Sequence, residues 1–207
     1  MQLALAHTPA GLRAPLRVAF ELDQRIARIV AATSEPMLGQ MRLAWWRDML
    51  GKPGHERPTG DAVLDAIGVF WQGREDALVR LVDGWEVLIA SDTLNPDELE
   101  KFSQARAAPY AALFDDRATK AADRVRLAMS TFAIADLATG LSSPEERERA
   151  IAFGLREKHS TGAFPRGAKG LRILEALALR ALKRGGRPLM EGRGAGLVAA
   201  RAAFFGR

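Results

Sequence analysis

The residues of this chain best suited to metal chemistry are two carboxylates with helical spacing. Asp61 and Asp65 are four positions apart, so on a helix both side chains would project from one face. Such a pair could hold Mg²⁺ against a diphosphate, because Mg²⁺ prefers oxygen ligands. The same residues also suit a helix start, where an acid favours the positive end of the helix dipole. We favour the helix start, since one such pair arises easily by chance, and keep Asp61 and Asp65 as weak metal candidates.

Other reactive residues are few. The chain has no cysteine, which excludes disulfides and thiolate nucleophiles. Its three histidines, His7, His55 and His159, fall in predicted loops or at a terminus, and none accompanies an activated serine or a zinc-binding motif. The glycine-rich stretch 192–196 follows no strand and lacks phosphate-loop spacing, so we interpret it as a flexible connector.

Two adjacent tryptophans, Trp45 and Trp46, are the most unusual neighbours in the sequence. Consecutive helical positions differ by about 100 degrees, so one ring should pack inward and the other lie at a groove or an interface. Polar side chains surround the pair: Gln40, Arg42, Arg47 and Asp48. We favour simple helix packing for the pair, with an apolar ligand channel or a partner surface as the alternative.

Apolar residues recur at three- and four-residue spacings, which predicts an all-α helical bundle without a sheet. The whole chain, residues 1–207, is expected to form one domain. In the first half of the chain, helices are predicted over residues 15–32, 34–50 with Ser34 as N-cap, 61–71 and 74–90. A further helix is predicted to start at Asn95 and to kink or break near Pro109. The remaining predicted helices cover 118–141, a segment that starts at Ser143, 171–183, and a short final segment that ends near Phe205. Asp115 and Asp116 are predicted to lie in a loop.

The charge is unevenly distributed along the chain. The net charge is +5, and residues 151–207 carry twelve Lys/Arg against three Glu. We favour a solvated helix face for this basic third, and its alternatives are contact with an anionic membrane, a diphosphate or a partner. We expect no nucleic-acid binding, because no aromatic stacking pattern accompanies the charges. We also expect neither a signal peptide nor a membrane-spanning helix.

The segment Glu35–Asp48 resembles a block with Glu-Pro, Gly, Arg and Trp-Trp-Arg in bacterial members of the squalene/phytoene synthase family. Three more segments are similar to parts of that family: residues 18–23 to the start of the first core helix, 99–113 to a later helix, and 195–207 to the C-terminal helix. The resemblance implies an all-α fold of the isoprenoid synthase type in a shortened form.

Active members of that family bind Mg²⁺ and a prenyl diphosphate through two Asp-rich motifs on facing helices. Here Arg25 and Arg28 stand where the first motif should lie, and Asp23 alone does not restore it. The second motif is reduced to Asp136. No catalytic residue is therefore carried over. The pattern resembles a non-catalytic branch that includes a mitochondrial assembly factor for respiratory complex I and its alphaproteobacterial relatives.

Two main hypotheses follow, and an unrelated helical adaptor is the remaining alternative. The first is a non-catalytic protein, cytoplasmic or peripheral to the inner membrane, that assembles or maintains a respiratory complex or holds a prenyl or lipid ligand without a cofactor. The second is a divergent Mg²⁺-dependent prenyltransferase that uses Asp23, Asp61, Asp65 or Asp136. The residues predicted for a ligand groove or partner surface are Arg25, Arg28, Gln40, Arg42, Trp45 and Trp46.

Overall fold

The computed structural model describes residues 1–91, 93–114, 119–156 and 162–205, without the side chains of Thr119 and Phe205. Within these ranges the chain is helical and has no strand, which confirms the predicted all-α class. The α-helices are α1 (Gln2–Ala6), α2 (Ala10–Ala31), α3 (Pro36–Gly51), α4 (Ala62–Phe70), α5 (Glu75–Ala90), α6 (Pro96–Ala112), α7 (Thr119–Gly140), α8 (Pro144–Arg156), α9 (Lys169–Lys183) and α10 (Gly194–Phe205). The predictions for Asp115, Asp116 and His159 fall outside the described residues.

Local capping signals place several helix starts where the sequence predicts them. Asn95 and Glu98 form a reciprocal capping box at the start of α6, each accepting a backbone N–H of the other. Asp61 caps α4 by accepting from the amides of Val63 and Leu64. The predicted N-cap Ser34 is wrong by one residue, because Glu35 occupies that position in front of Pro36.

Two features of the helices differ from the prediction. The break that the sequence predicts near Pro109 is absent: helix α6 continues to Ala112, although this proline has no N–H to donate to the carbonyl four residues before it. Helix α1 has no strong sequence signal, and it is held by contact with α9. A Cβ on Gly170 would lie 2.2 Å from the carbonyl oxygen of Ala4, so only glycine permits this approach.

Helices α5, α6, α7 and α9 form the middle of the bundle, with α2 packed against α5 and α6. Gly84 lets α5 and α6 approach closely, because a Cβ there would lie 2.9 Å from Cβ of Ala105. Helix α10 packs on α9 through a small separate cluster of buried residues. Among the described residues, no helix combines the length and the apolar character needed to cross a bilayer.

Candidate functional site

A buried arginine joins three helices at the centre of the bundle. Arg106 of α6 donates from Nε and Nη2 to the two carboxylate oxygens of Asp23 on α2, each at 2.8 Å. Its Nη2 also donates to Oδ2 of Asp136 on α7 at 2.6 Å. Asp23 and Arg106 are almost fully buried, whereas the side chain of Asp136 is 42% exposed. We call Asp23, Arg106 and Asp136 the central ion cluster.

Aromatic side chains enclose this cluster. Nε1 of Trp85 donates to Oδ1 of Asp23 at 2.7 Å, and the Arg106 guanidinium lies 4.7 Å from the Trp85 ring centroid. The rings of Phe102 and Phe132 flank the same guanidinium at 5.7 and 5.5 Å. These contacts add cation–π attraction to the ion pairs and exclude water from the buried side of the cluster.

The buried setting changes the acid–base properties of two groups. Burial opposes the charge of Arg106, but the carboxylates of Asp23 and Asp136 outweigh it and raise the pKa of the guanidinium. Burial, together with the negative charge of Asp23, raises the pKa of Tyr110 well above its ordinary value. The Tyr110 hydroxyl has no hydrogen-bond partner among the described residues. Both groups therefore keep their protons over the physiological range, which makes neither suited to act as a base.

The central ion cluster places two carboxylates on facing helices, but a guanidinium lies between them. Both oxygens of Asp23 already accept hydrogen bonds, from Arg106 and Trp85. A cation bound between Asp23 and Asp136 would have to displace Arg106 from a site where it is buried and neutralised. Within the described ranges, no group of three or more His, Asp or Glu side chains converges elsewhere. The cluster is arranged to fix three helices relative to one another.

The two arginines predicted to replace the first Asp-rich motif lie outside this cluster. Arg25 donates from Nη1 to Oδ2 of Asp61 at 3.1 Å, and both side chains are partly exposed. Arg28 is exposed in the last turn of α2, where a cation is favoured by the helix dipole. Of the acidic residues singled out from the sequence, Asp23 and Asp136 are the two that the structure brings together.

Asp61 and Asp65 are directed to backbone groups near the start of α4. Asp61 accepts from the Val63 and Leu64 amides, and Oδ2 of Asp65 accepts from the Gly60 amide. Burial alone would raise the pKa of Asp61, but the Leu64 amide and the Arg25 guanidinium lower it overall. The pKa of Asp61 is therefore lower in the folded chain than in the unfolded chain. The stability that its carboxylate contributes is fully present above the unfolded pKa and is lost as the pH falls through the folded pKa.

The capping role of Asp61 can be separated from its charge. We expect Asp61→Ala to lower the free energy of unfolding by about 1 kcal/mol, the usual loss for an N-cap. Asp61→Asn should lower it by clearly less, because asparagine caps equally well and the exposed pair with Arg25 contributes little. Urea unfolding at neutral pH measures both values. Equal losses in the two variants would show that the charge, and not the cap, stabilises α4.

The remaining predicted site residues belong to α3. Trp46 is buried with 3% exposure and Trp45 is 42% exposed, so the expected division of the two rings is observed. Gln40 and Arg42 are exposed on the same helix. Trp45 continues an apolar row with Met41 and Met37, four and eight positions before it. Apart from the buried Trp46, these residues form an exposed helix surface, and none of them contributes to the central ion cluster.

Sequence reasoning overlooked Arg106, Trp85 and Tyr110. A usable signal was present, because Arg106 lies four residues from Phe102 and from Tyr110 and so shares their apolar helix face. Asp136 likewise interrupts an alanine-rich apolar run in α7. A charged residue on an apolar helix face predicts a buried ion pair, because a buried charge needs a partner. Two acids and one arginine in such positions are therefore candidates to pair with each other.

Comparisons with known proteins do not place this chain in a family. No family model matches it, and neither a curated protein nor a solved structure matches it significantly.

Proposed function

We propose that this chain is a non-catalytic protein with a shortened fold of the squalene/phytoene synthase type. Its role would be to assemble or maintain a membrane respiratory complex, or to hold a prenyl or lipid ligand for that purpose. It would act in the cytoplasm or peripherally at the inner membrane, with the basic residues 151–207 as the contact. The observation that carries the proposal is the position of Arg106 between Asp23 and Asp136.

The argument rests on the chemistry of prenyl transfer. An enzyme of this type needs carboxylates free to bind Mg²⁺, which neutralises the diphosphate leaving group. In this chain both facing carboxylates already accept hydrogen bonds from one arginine, whose permanent positive charge balances one of their two negative charges. Displacing Arg106 would leave Asp23 buried and without its cation. Metal binding would first have to offset the free-energy cost of that unpaired buried charge.

The surroundings of Arg106 support the same proposal. The interior where a prenyl chain would have to lie near Asp23 is filled by Trp85, Phe102 and Phe132, which contact the guanidinium. Phe20 packs on Tyr110 with ring centroids 5.0 Å apart and closes another side. A ligand of the proposed protein therefore suits an outer surface better than the region around the central ion cluster.

A titration with farnesyl diphosphate tests the non-catalytic character directly. We expect calorimetry on the purified protein to show no increase in affinity when Mg²⁺ is added, and no joined prenyl product after incubation. Asp136→Asn is the matched variant, since its side chain is partly exposed and the amide oxygen can still accept from Arg106. Tight Mg²⁺-dependent binding that Asp136→Asn abolishes would reject the proposal in favour of the prenyltransferase.

The assembly role requires an experiment in cells. We expect deletion of the gene to lower NADH–quinone reductase activity in isolated membranes and to leave prenyl lipids unchanged. Expression of the unaltered chain and expression of Asp136→Asn should restore the activity equally, because the proposed assembly role needs no metal-binding carboxylate. Loss of prenyl lipids that only the unaltered chain restores would contradict the assembly role.

A further inference from the structure

Helix α10 presents an unusual outer surface. Leu197 and Phe204 are 75% and 76% exposed, and Arg201 is exposed between them. Positions 197, 201 and 204 are four and three residues apart, so they share one face of the helix. Arg193, immediately before α10, is four residues from Leu197 and is also exposed. We call Arg193, Leu197, Arg201 and Phe204 the outer face of α10.

The opposite face of α10 holds the helix firmly in place. Ala195, Ala199, Ala202 and Ala203 are buried against Ile173 and Leu177 of α9. At the C-terminal end, Arg172 donates to the Ala203 carbonyl oxygen and the ammonium group of Lys169 lies 5.3 Å from the Phe204 ring centroid. The apolar side chains of the outer face are therefore directed to the surface by a helix that has already buried its other side.

The charge around this face is strongly positive. Residues 162–205 contain nine Lys/Arg and two Glu. One glutamate, Glu175, is buried in an ion pair with Arg124, and the other, Glu191, pairs with Arg187. Arg193 and Arg201 form no ion pair with a described residue. The outer face thus combines large apolar side chains with cations that have no ion-pair partner among the described residues, a combination that suits the headgroup region of an anionic membrane.

The start of α10 adds to the positive potential at one edge of this surface. The guanidinium groups of Arg180 and Arg184 are turned toward the glycines there, and a Cβ on Gly194 would lie 3.4 Å from Nη2 of Arg180. The amides of the first turn carry the positive end of the helix dipole. Both contributions favour the phosphate groups of lipids at the same edge.

We propose that the outer face of α10 docks on the surface of an anionic phospholipid membrane. Leu197 and Phe204 insert between the headgroups, and Arg193 and Arg201 contact the lipid phosphates. The inference rests on the proposed function for its membrane setting, and it narrows the contact from residues 151–207 to one helix face. The docking and the proposed function can each fail without the other, because vesicle binding does not depend on prenyl diphosphate chemistry.

Flotation of the purified full chain with vesicles tests the docking. We expect binding to phosphatidylcholine vesicles that contain about one third phosphatidylglycerol, and little binding to phosphatidylcholine alone. Arg193→Gln with Arg201→Gln should lower the partition coefficient about 25-fold, since each cation near the surface contributes about five-fold. Leu197→Ser with Phe204→Ser should lower it more than about 10-fold through lost apolar insertion. High salt should weaken binding, as expected for screened charges.

The matched control is Met37→Ser with Met41→Ser on α3, where the two side chains are 72% and 63% exposed. This variant removes a comparable apolar pair from another face, and we expect its binding to be unchanged. Thermal melts should be the same for all variants, because each altered side chain is exposed. The proposal is overturned if neutral and anionic vesicles bind equally, or if only the α3 variant loses binding. It is also overturned if sedimentation shows a dimer that Leu197→Ser with Phe204→Ser dissociates, since a second copy would then cover this face.

Discussion

Replacement of Arg106 by methionine is expected to lower the free energy of unfolding by about 3–5 kcal/mol, the usual loss when one partner of a buried ion pair is removed. The substitution leaves the carboxylate of Asp23 buried with 1% of its side chain exposed and without its cation. Trp85 alone would still donate to it. Equilibrium unfolding in guanidinium chloride at neutral pH measures this loss of stability.

Two further variants control for the removal of an arginine as such. Arg126→Met removes a cation from an exposed pair with Asp123 on α7 and should change stability by less than about 0.5 kcal/mol. The double variant Asp23→Leu with Arg106→Met should be more stable than Arg106→Met alone, because it removes the buried charge together with its partner. If the double variant loses the sum of both single losses, the two residues are not coupled.

Several helix starts could be predicted because their causes are local. The cap at Asp61 and the box formed by Asn95 and Glu98 are complete within four residues of sequence. Helix α1 could not be found this way, since its position depends on a close approach to Gly170 from a distant part of the chain. The fold class thus follows from the periodicity of the sequence, and the missing helix depends on tertiary contact.

The central ion cluster shows the same limit more clearly. Asp23 and Arg106 are 83 positions apart, and Arg106 and Asp136 are 30 apart, so no spacing rule within one helix connects them. Reasoning from the resemblance directed attention to Arg25 and Arg28, which occupy the expected turn but point away from the cluster. The sequence presents Asp23 as an incomplete motif, or as one carboxylate of the prenyltransferase alternative. Its structural role required knowledge of which residue on another helix neutralises it.

The two adjacent tryptophans offer a comparison in which residue type and helix are the same and only burial differs. We expect Trp46→Ala to lower the free energy of unfolding by about 3–5 kcal/mol, because it removes a large side chain from the core. Trp45→Ala should lower it by about 1 kcal/mol. Its main loss is the edge contact between the two rings, whose centroids are 5.2 Å apart.

This comparison also separates stability from interaction. Differential scanning calorimetry of the two variants should show a large fall in Tm for Trp46→Ala and a small one for Trp45→Ala. Comparable falls would mean that Trp45 is part of the packed core and is unavailable to a partner. If the expected difference is found, Trp45→Ala remains folded. It is then the variant to use in cells for testing the exposed α3 row that Trp45 forms with Met37 and Met41. A loss of membrane reductase activity in that variant could then be attributed to the exposed row and not to unfolding.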